Sequence, residues 1–227
     1  MSKISINNNF RYLFVALTSL LFFMALLNEI KNPFLDDMIE VLILFVLFIG
    51  VHSIKSERSW SYSVYIMMSV LLLVFISRNF FYDTPVIGYI HIFLLLAFFM
   101  GSFHLSAMQI FTSKEVDENM IIGSVVLFLL LGLIWTMLYL LILYIFPESF
   151  NGLEALRWQE NFSKVAYFSF VTLTTLGYGD VSPSNSVSQF FVYSEAIVGV
   201  FYMAVIVSTL VAARVDSAKR DRNNKEM

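Results

Sequence analysis

The chain of 227 residues contains no cysteine and few charged residues, and both shortages limit what it can be. Without cysteine it has no disulfide framework, no thiolate metal site and no cysteine nucleophile. Charged residues make up 14% of the chain and hydrophobic residues 59%, which is typical of a polytopic membrane protein. The sequence also lacks paired catalytic carboxylates, a nucleophile triad and a phosphate-binding glycine loop. It therefore gives no support for an enzyme or for a nucleic-acid partner.

Six apolar runs approach the roughly 20 residues that a helix needs to cross a bilayer. They cover residues 10–27, 38–51, 61–77, 86–111, 120–146 and 187–215. No small-residue cleavage site follows the first run, so we interpret it as an uncleaved span. Most of the 14 lysine and arginine residues fall in segments on the amino-terminal side of these spans. By the positive-inside rule, we predict a multi-pass protein of the plasma membrane with both termini in the cytoplasm.

A shorter apolar segment lies between the fifth and sixth runs. As a helix, residues 162–174 would reach about 20 Å, and five extended residues after them would climb back roughly 15 Å. Neither piece crosses a hydrocarbon core of about 30 Å alone, so together they predict a re-entrant helix and loop. Irregular backbone at that depth is tolerated where it is buried in protein or lines water. A four-fold ring of such loops meets both conditions.

The loop itself, residues 172–183, reads Thr-Leu-Thr-Thr-Leu-Gly-Tyr-Gly-Asp-Val-Ser-Pro. Its two glycines permit backbone angles that a Cβ atom would obstruct, so the chain can line a narrow path with carbonyl oxygens. Such oxygens would replace hydration worth on the order of 20 kcal/mol to an ion entering the membrane. The alternative is an ordinary glycine turn.

This motif resembles the selectivity filter of the tetrameric potassium channel family, whose signature is Thr-Val-Gly-Tyr-Gly-Asp; here Leu176 replaces the valine. The resemblance implies permeant potassium ions and three identical partner subunits, because one loop supplies a quarter of each oxygen ring. It implies that the filter, called here the filter loop, consists of Thr174, Thr175, Leu176, Gly177, Tyr178 and Gly179, with the four middle residues Thr175, Leu176, Gly177 and Tyr178 as ion ligands. Asp180 is expected to shape the outer mouth.

The order of the parts, four spans and then helix, re-entrant loop and helix, resembles the six-span branch of that family. We predict an all-α membrane protein that forms a tetramer. Its chain would comprise a voltage-sensor-like but non-sensing four-helix domain (1–111), a linker (112–119), a pore domain (120–215) and a cytoplasmic tail (216–227). Voltage-gated relatives carry arginine or lysine at every third position of the fourth span, whereas this span has neither. Since moving one charge through 100 mV is worth about 2.3 kcal/mol, we predict weak or absent voltage dependence.

Two side chains are candidates for supporting the filter. The resemblance implies that Tyr167 donates a hydrogen bond to Asp180, the alternative being an interfacial aromatic residue. Glu195 lies well inside the sixth span, where an ionisable group is a functional candidate by default. We expect it to bond to pore-helix hydroxyls such as Ser169 or Thr172; alternatively, it attracts cations.

The candidate gating residues follow in the sixth span. Gly199 matches the position of the family's hinge glycine, although it could be small only to let the pore helix approach closely. Beyond it, an apolar stripe at helical spacing could gate by dewetting in four copies, or could be a packing or lipid-facing stripe. The stripe consists of Val200, Met203, Val207 and Val211.

Further features give weaker indications. His91 and His104 could form a proton-sensitive gate, but packing histidines are the favoured interpretation. Basic residues in the tail could contact anionic membrane lipids. The predicted function is passive potassium conduction. A poorly selective monovalent cation channel and a non-conducting auxiliary membrane subunit remain alternatives, and the opening stimulus is left open.

Overall fold

A computed structural model describes residues 9–30, 41–46, 48–50, 58–78, 85–112, 118–154, 158–208 and 211. The described chain is mostly helical. Its helices are α1 (Asn9–Ile30), α2 (residues 41–46 and 48–50), α3 (Arg58–Arg78), α4 (Pro85–Phe111), α5 (Glu118–Ile145), α6 (Trp158–Leu173) and α7 (Ser186–Phe201), followed by a π-helical turn (Tyr202–Val207). Most of the predicted linker, the predicted tail and the side chain of Val207 lie outside the described residues.

Four described helices are long and apolar enough to cross a membrane: Asn9–Leu27, Val86–Phe111, Glu118–Ile145 and Ser186–Val205. Two shorter apolar helices, Val41–Gly50 and Tyr62–Val74, lie where the second and third spans are predicted. The helices agree with a membrane protein of mainly helical structure. Six complete spans stay a prediction.

α4 and α5 pack side by side in opposite directions. Near the start of α4, a Cβ atom added to Gly88 would lie 2.6 Å from the ring of Tyr144, near the end of α5. The hydroxyl of Tyr89 donates to the backbone oxygen of Tyr144 at 3.1 Å. At the other end, the side chain of Ile110 lies against Gly123, near the start of α5.

α1 also packs against α5, and the two helices begin at the same end of the subunit. Arg11 forms an ion pair with Glu118 at 2.9 Å. The backbone N–H of Phe10 donates to Asn119 Oδ1 at 3.2 Å. If each of the four helices α1 to α4 crosses a membrane once, the chain is back on its starting side when α5 begins. The shared end of α1 and α5 is consistent with that number of crossings.

α5 is the central helix of the described subunit, with contacts to α1, α4, α6 and α7. Its side chains Leu130, Leu133, Met137 and Leu140 are fully buried. The buried residues of α7, in contrast, are few, and the rest of that helix is exposed or half-buried in the single chain: Ser188, Glu195 and Gly199 are the buried ones. α7 therefore presents a broad face to whatever surrounds the subunit.

Two short strands tie the segment after α5 to the segment after the filter loop. β1 (Phe150–Asn151) pairs antiparallel with β2 (Ser182–Pro183). Next to β1, Gly152 has a φ of +82°, and a Cβ there would lie 2.3 Å from the backbone oxygen of Asp180. The segment is thus held against Asp180 by a close backbone contact that a larger residue would disrupt.

Two sequence predictions need correction here. α6 begins at Trp158 rather than at residue 162, and Trp158 is buried, with an exposed fraction of 2%. The sixth span is predicted as one continuous helix, but α7 changes to a π-helical turn at Tyr202. The i→i+5 bonding of such a turn widens it, so side chains spaced for an α-helix no longer fall on one line.

Candidate functional site

α6 is too short to cross a membrane and ends beside the filter loop. Its 16 residues span about 24 Å, against a hydrocarbon core of about 30 Å. Gly132 on α5 allows its close approach, because an added Cβ would lie 2.4 Å from the ring of Phe170. At the carboxyl end of α6, the hydroxyl of Thr174 donates to the backbone oxygen of Phe170 at 2.6 Å.

The filter loop returns alongside α6 and is held by its last turn. The backbone N–H of Thr175 donates to the oxygen of Thr172 at 2.9 Å. The N–H groups of Leu176 and Gly177 both donate to the oxygen of Val171, at 2.9 Å and 3.4 Å. These bonds satisfy helix carbonyls that would otherwise have no partner. Three consecutive N–H groups of the loop thus face α6.

The direction of these N–H groups fixes the direction of the carbonyls. A trans peptide group holds its C=O antiparallel to its N–H, so the carbonyls of Thr174, Thr175 and Leu176 point away from α6. Among the described residues, no hydrogen bond ends on a backbone oxygen of the filter loop. Residues 174–180 are all exposed in the single chain. A row of oxygens is therefore available to a ligand.

In the filter loop, every second residue from Thr175 to Gly179 has a positive φ angle. Thr175, Gly177 and Gly179 have φ angles of +62°, +55° and +81°. Alternation of this kind brings successive N–H groups to one side of the chain. Glycine adopts such angles readily, whereas a threonine there is uncommon and strained. The strain is consistent with a loop shaped for binding.

The large side chains of the filter loop are mostly exposed and pack little against the rest of the chain. Leu176 is 59% exposed and Tyr178 is 68% exposed. Behind them, the hydroxyl of Tyr167 on α6 and the carboxyl group of Asp180 lie close enough to interact electrostatically. A hydrogen bond between these two groups stays a prediction.

Glu195 is fully buried where α5, α6 and α7 meet. Its Oε1 lies 2.6 Å from the hydroxyl of Ser169, and its Oε2 is bonded to the hydroxyl of Tyr139. The partner on α6 is Ser169 and not Thr172. The role of Tyr139 was not predicted, because a tyrosine in an apolar span carries no signal that distinguishes a buried partner from a packing residue.

Gly199 lies directly against the end of α6. A Cβ atom there would come within 2.2 Å of the backbone oxygen of Leu173. This contact supports the alternative interpretation, in which the residue is small so that α6 can approach α7 closely. The hinge role stays a prediction.

A cavity of about 680 Å³ opens beneath the filter loop. Its lining includes the two threonines of the loop, Gly199 and part of the predicted gating stripe, Val200 and Met203. Val211 is exposed, and Val207 has no described side chain. Two stripe residues thus share a space with the inner end of the loop.

The histidines occupy different environments. His91 is 3% exposed, its ring lies 5.7 Å from that of Trp158, and its Nδ1 lies 3.1 Å from the oxygen of Ile87. It is a packing histidine in this structure, whereas His104 is exposed. Within the described ranges, no group of three or more histidine, aspartate or glutamate side chains could hold a metal ion.

The fold and the site combine helices that are long and apolar enough to cross a membrane with a short helix, a returning loop and a row of available carbonyls. Residues 124–215 match a family model described as "Ion channel", a potassium-channel-like family with two transmembrane helices. The match runs from α5 through the filter loop and beyond α7, close to the predicted pore domain. Comparisons with curated proteins and with solved structures found no match. The family match indicates an ion channel, a transport protein rather than an enzyme.

Proposed function

We propose that the chain is one subunit of a homotetrameric, potassium-selective channel that conducts K⁺ passively with weak or no voltage dependence. The observation that carries the proposal is the orientation of the filter loop: three consecutive N–H groups bond to α6, so the carbonyls of the same peptide groups point away from it. A ring of such carbonyls replaces the water that an ion sheds in the pore.

The tetramer follows from the number of oxygens that one loop can offer. A single loop supplies one carbonyl at each level, whereas a dehydrated cation needs several. Support for partner subunits comes from the apolar side chains that one chain leaves exposed near the loop, namely Leu176, Tyr178, Phe190, Tyr193 and Phe201. Neighbouring copies would cover this face of α7 and the back of the filter.

The proposed orientation places the amino ends of α1 and α5 on the cytoplasmic side of the plasma membrane. Basic residues are concentrated in the predicted segments of that side. The filter loop then opens toward the outside, since α6 and the loop return to the end at which α5 finishes. α4 carries no lysine or arginine, which supports weak voltage dependence.

The test is a flux assay with the purified full chain in liposomes. A potassium gradient should drive a flux that barium blocks, and reversal potentials in mixed potassium and sodium should lie near the potassium value. Equal permeability of the two ions would indicate the poorly selective cation channel instead. Absence of any flux from correctly assembled tetramers would contradict the proposal and leave the auxiliary-subunit alternative.

A further inference from the structure

Three close oxygen–oxygen contacts lie around Glu195 and Ser169, but the hydroxyls of Tyr139 and Ser169 supply only two protons for them. The hydroxyl of Ser169 lies 2.6 Å from Glu195 Oε1 and 2.8 Å from the backbone oxygen of Gly132. It carries one proton, so it can donate to one of these two oxygens only. Tyr139 donates its own proton to Glu195 Oε2. One more proton is needed if both short contacts of Ser169 are hydrogen bonds.

With an ionised carboxylate, the proton of Ser169 would go to Glu195. Two oxygens, those of Ser169 and Gly132, would then face each other at 2.8 Å without a proton between them. The oxygen of Gly132 would gain nothing from that approach, because the hydroxyl of Thr136 already donates to it at 2.7 Å. With a protonated carboxyl group, each contact has its proton: Tyr139 donates to Glu195, Glu195 to Ser169, and Ser169 to Gly132.

The surrounding charges favour the same state. α5 and α7 contain no lysine or arginine, and the basic residue of α6, Lys164, is exposed about 7.5 Å of helix rise from Ser169. The titratable group that faces Glu195 from α5 is Tyr139, an uncharged donor. A buried carboxylate without a cationic partner is strongly unfavourable, so such a group takes up a proton instead.

We infer that Glu195 is a neutral carboxylic acid that donates its proton to Ser169 and so positions α6 for the filter loop. The inference rests on the proposed function where it concerns the filter. Ser169 lies two residues before Val171, whose backbone oxygen accepts two N–H groups of the loop. Glu195 is therefore a positioning residue: its proton fixes the depth and rotation of α6 against α5 and α7.

The experiment compares three variants of the full-length channel. In Glu195→Gln, the amide NH₂ replaces the acid proton toward Ser169 and the amide oxygen accepts from Tyr139, so the whole chain of bonds is preserved. We expect its potassium flux to stay within about twofold of the wild type. Glu195→Ala and Ser169→Ala break the chain and should lower the flux by at least about fivefold, because an unsatisfied buried group disfavours the positioned state of α6 by about that factor or more.

Infrared spectroscopy supplies a readout that is independent of conduction. The wild-type spectrum at neutral pH should contain the carbonyl band of a protonated carboxylic acid that is missing from the Glu195→Gln spectrum. Absence of that difference band would overturn the inference, and so would a Gln variant as impaired as the Ala variants. If the wild type conducts no potassium, the proposed function fails, but the infrared difference still tests the protonation of Glu195.

Discussion

Gly199 of α7 and Leu173 of α6 meet so closely that a single added carbon would lie 2.2 Å from the backbone oxygen of Leu173. The contact joins α7 to the last residue of α6, immediately before the filter loop. Movement of α7 at this point would be transmitted to the loop. The close contact also explains why glycine is tolerated in a helix interior, where it costs roughly 1 kcal/mol relative to alanine.

Gly199→Ala should therefore destabilise the assembled protein. Overpacking of this kind costs typically about 1–3 kcal/mol, and the carbonyl cannot move without shifting the filter loop. Thermal unfolding of the purified tetramer should occur at a lower temperature than in the wild type. The neighbouring Val198→Ala, at a side chain that is 39% exposed, is the matched control and should cost less. A Gly199→Ala protein of wild-type stability with altered opening would favour the hinge instead.

Gly177→Ala tests the backbone conformation of the filter loop separately from packing. No atom lies within 4 Å of the position that a Cβ would take in the single chain, so its φ of +55° is the main source of strain within the subunit. An L-residue in the left-handed region costs about 1–2 kcal/mol. We expect loss of potassium flux or of its preference over sodium, measured by reversal potential, while the helical circular-dichroism signal remains.

Leu176→Val tests whether the departure from the family signature disturbs selectivity. The N–H of Leu176 bonds to α6 and its side chain is 59% exposed in the subunit, which is consistent with packing against a neighbouring copy. We expect the Val variant to keep the potassium-to-sodium permeability ratio of the wild type within about twofold. A marked rise in that ratio would mean that leucine loosens the filter, as the poorly selective alternative requires.

The short helix between two longer apolar helices and the contact of Glu195 with Ser169 were both predictable, because apolar runs, their lengths and a lone carboxylate are visible in the sequence. Other features were not. Two-residue strands such as β1 and β2 have no periodic pattern, and the residues of the π-helical turn, Tyr202–Val207, include no helix breaker. The start of α6 at Trp158 was not predicted either, because tryptophan is common at membrane interfaces, whereas here it packs beside His91.

Voltage should have little effect on opening. The fourth helix, Pro85–Phe111, contains no lysine or arginine, so moving it through the field transfers no side-chain charge. Single-channel recordings in planar bilayers should show an open probability that changes less than about tenfold over 100 mV. Moving one charge through 100 mV is worth about 2.3 kcal/mol, so a tenfold change would require the movement of roughly 0.6 of one charge. A steeper dependence would place gating charge elsewhere in the chain or in the permeating ions.

Tyr167→Phe should shorten the time for which the filter stays conducting. The variant loses the hydroxyl that is predicted to bond to Asp180 but keeps the ring, so the change is confined to that hydroxyl and its interaction with the carboxyl group. A hydrogen bond to a charged group is worth about 1.5–3 kcal/mol, and its loss should let the outer mouth relax into a non-conducting shape. We expect potassium currents to decay several-fold faster during sustained opening.

The matched control for that variant is Tyr12→Phe on α1, which removes a hydroxyl from an exposed tyrosine on a different helix. Its currents should decay at the wild-type rate. Asp180→Asn, which keeps the shape of the partner but removes its charge, should decay at a rate between those of the wild type and Tyr167→Phe. Identical decay in the Tyr167→Phe channel and the wild type would show that the bond does not stabilise the conducting filter, and would leave Tyr167 as an aromatic residue that only packs beside it.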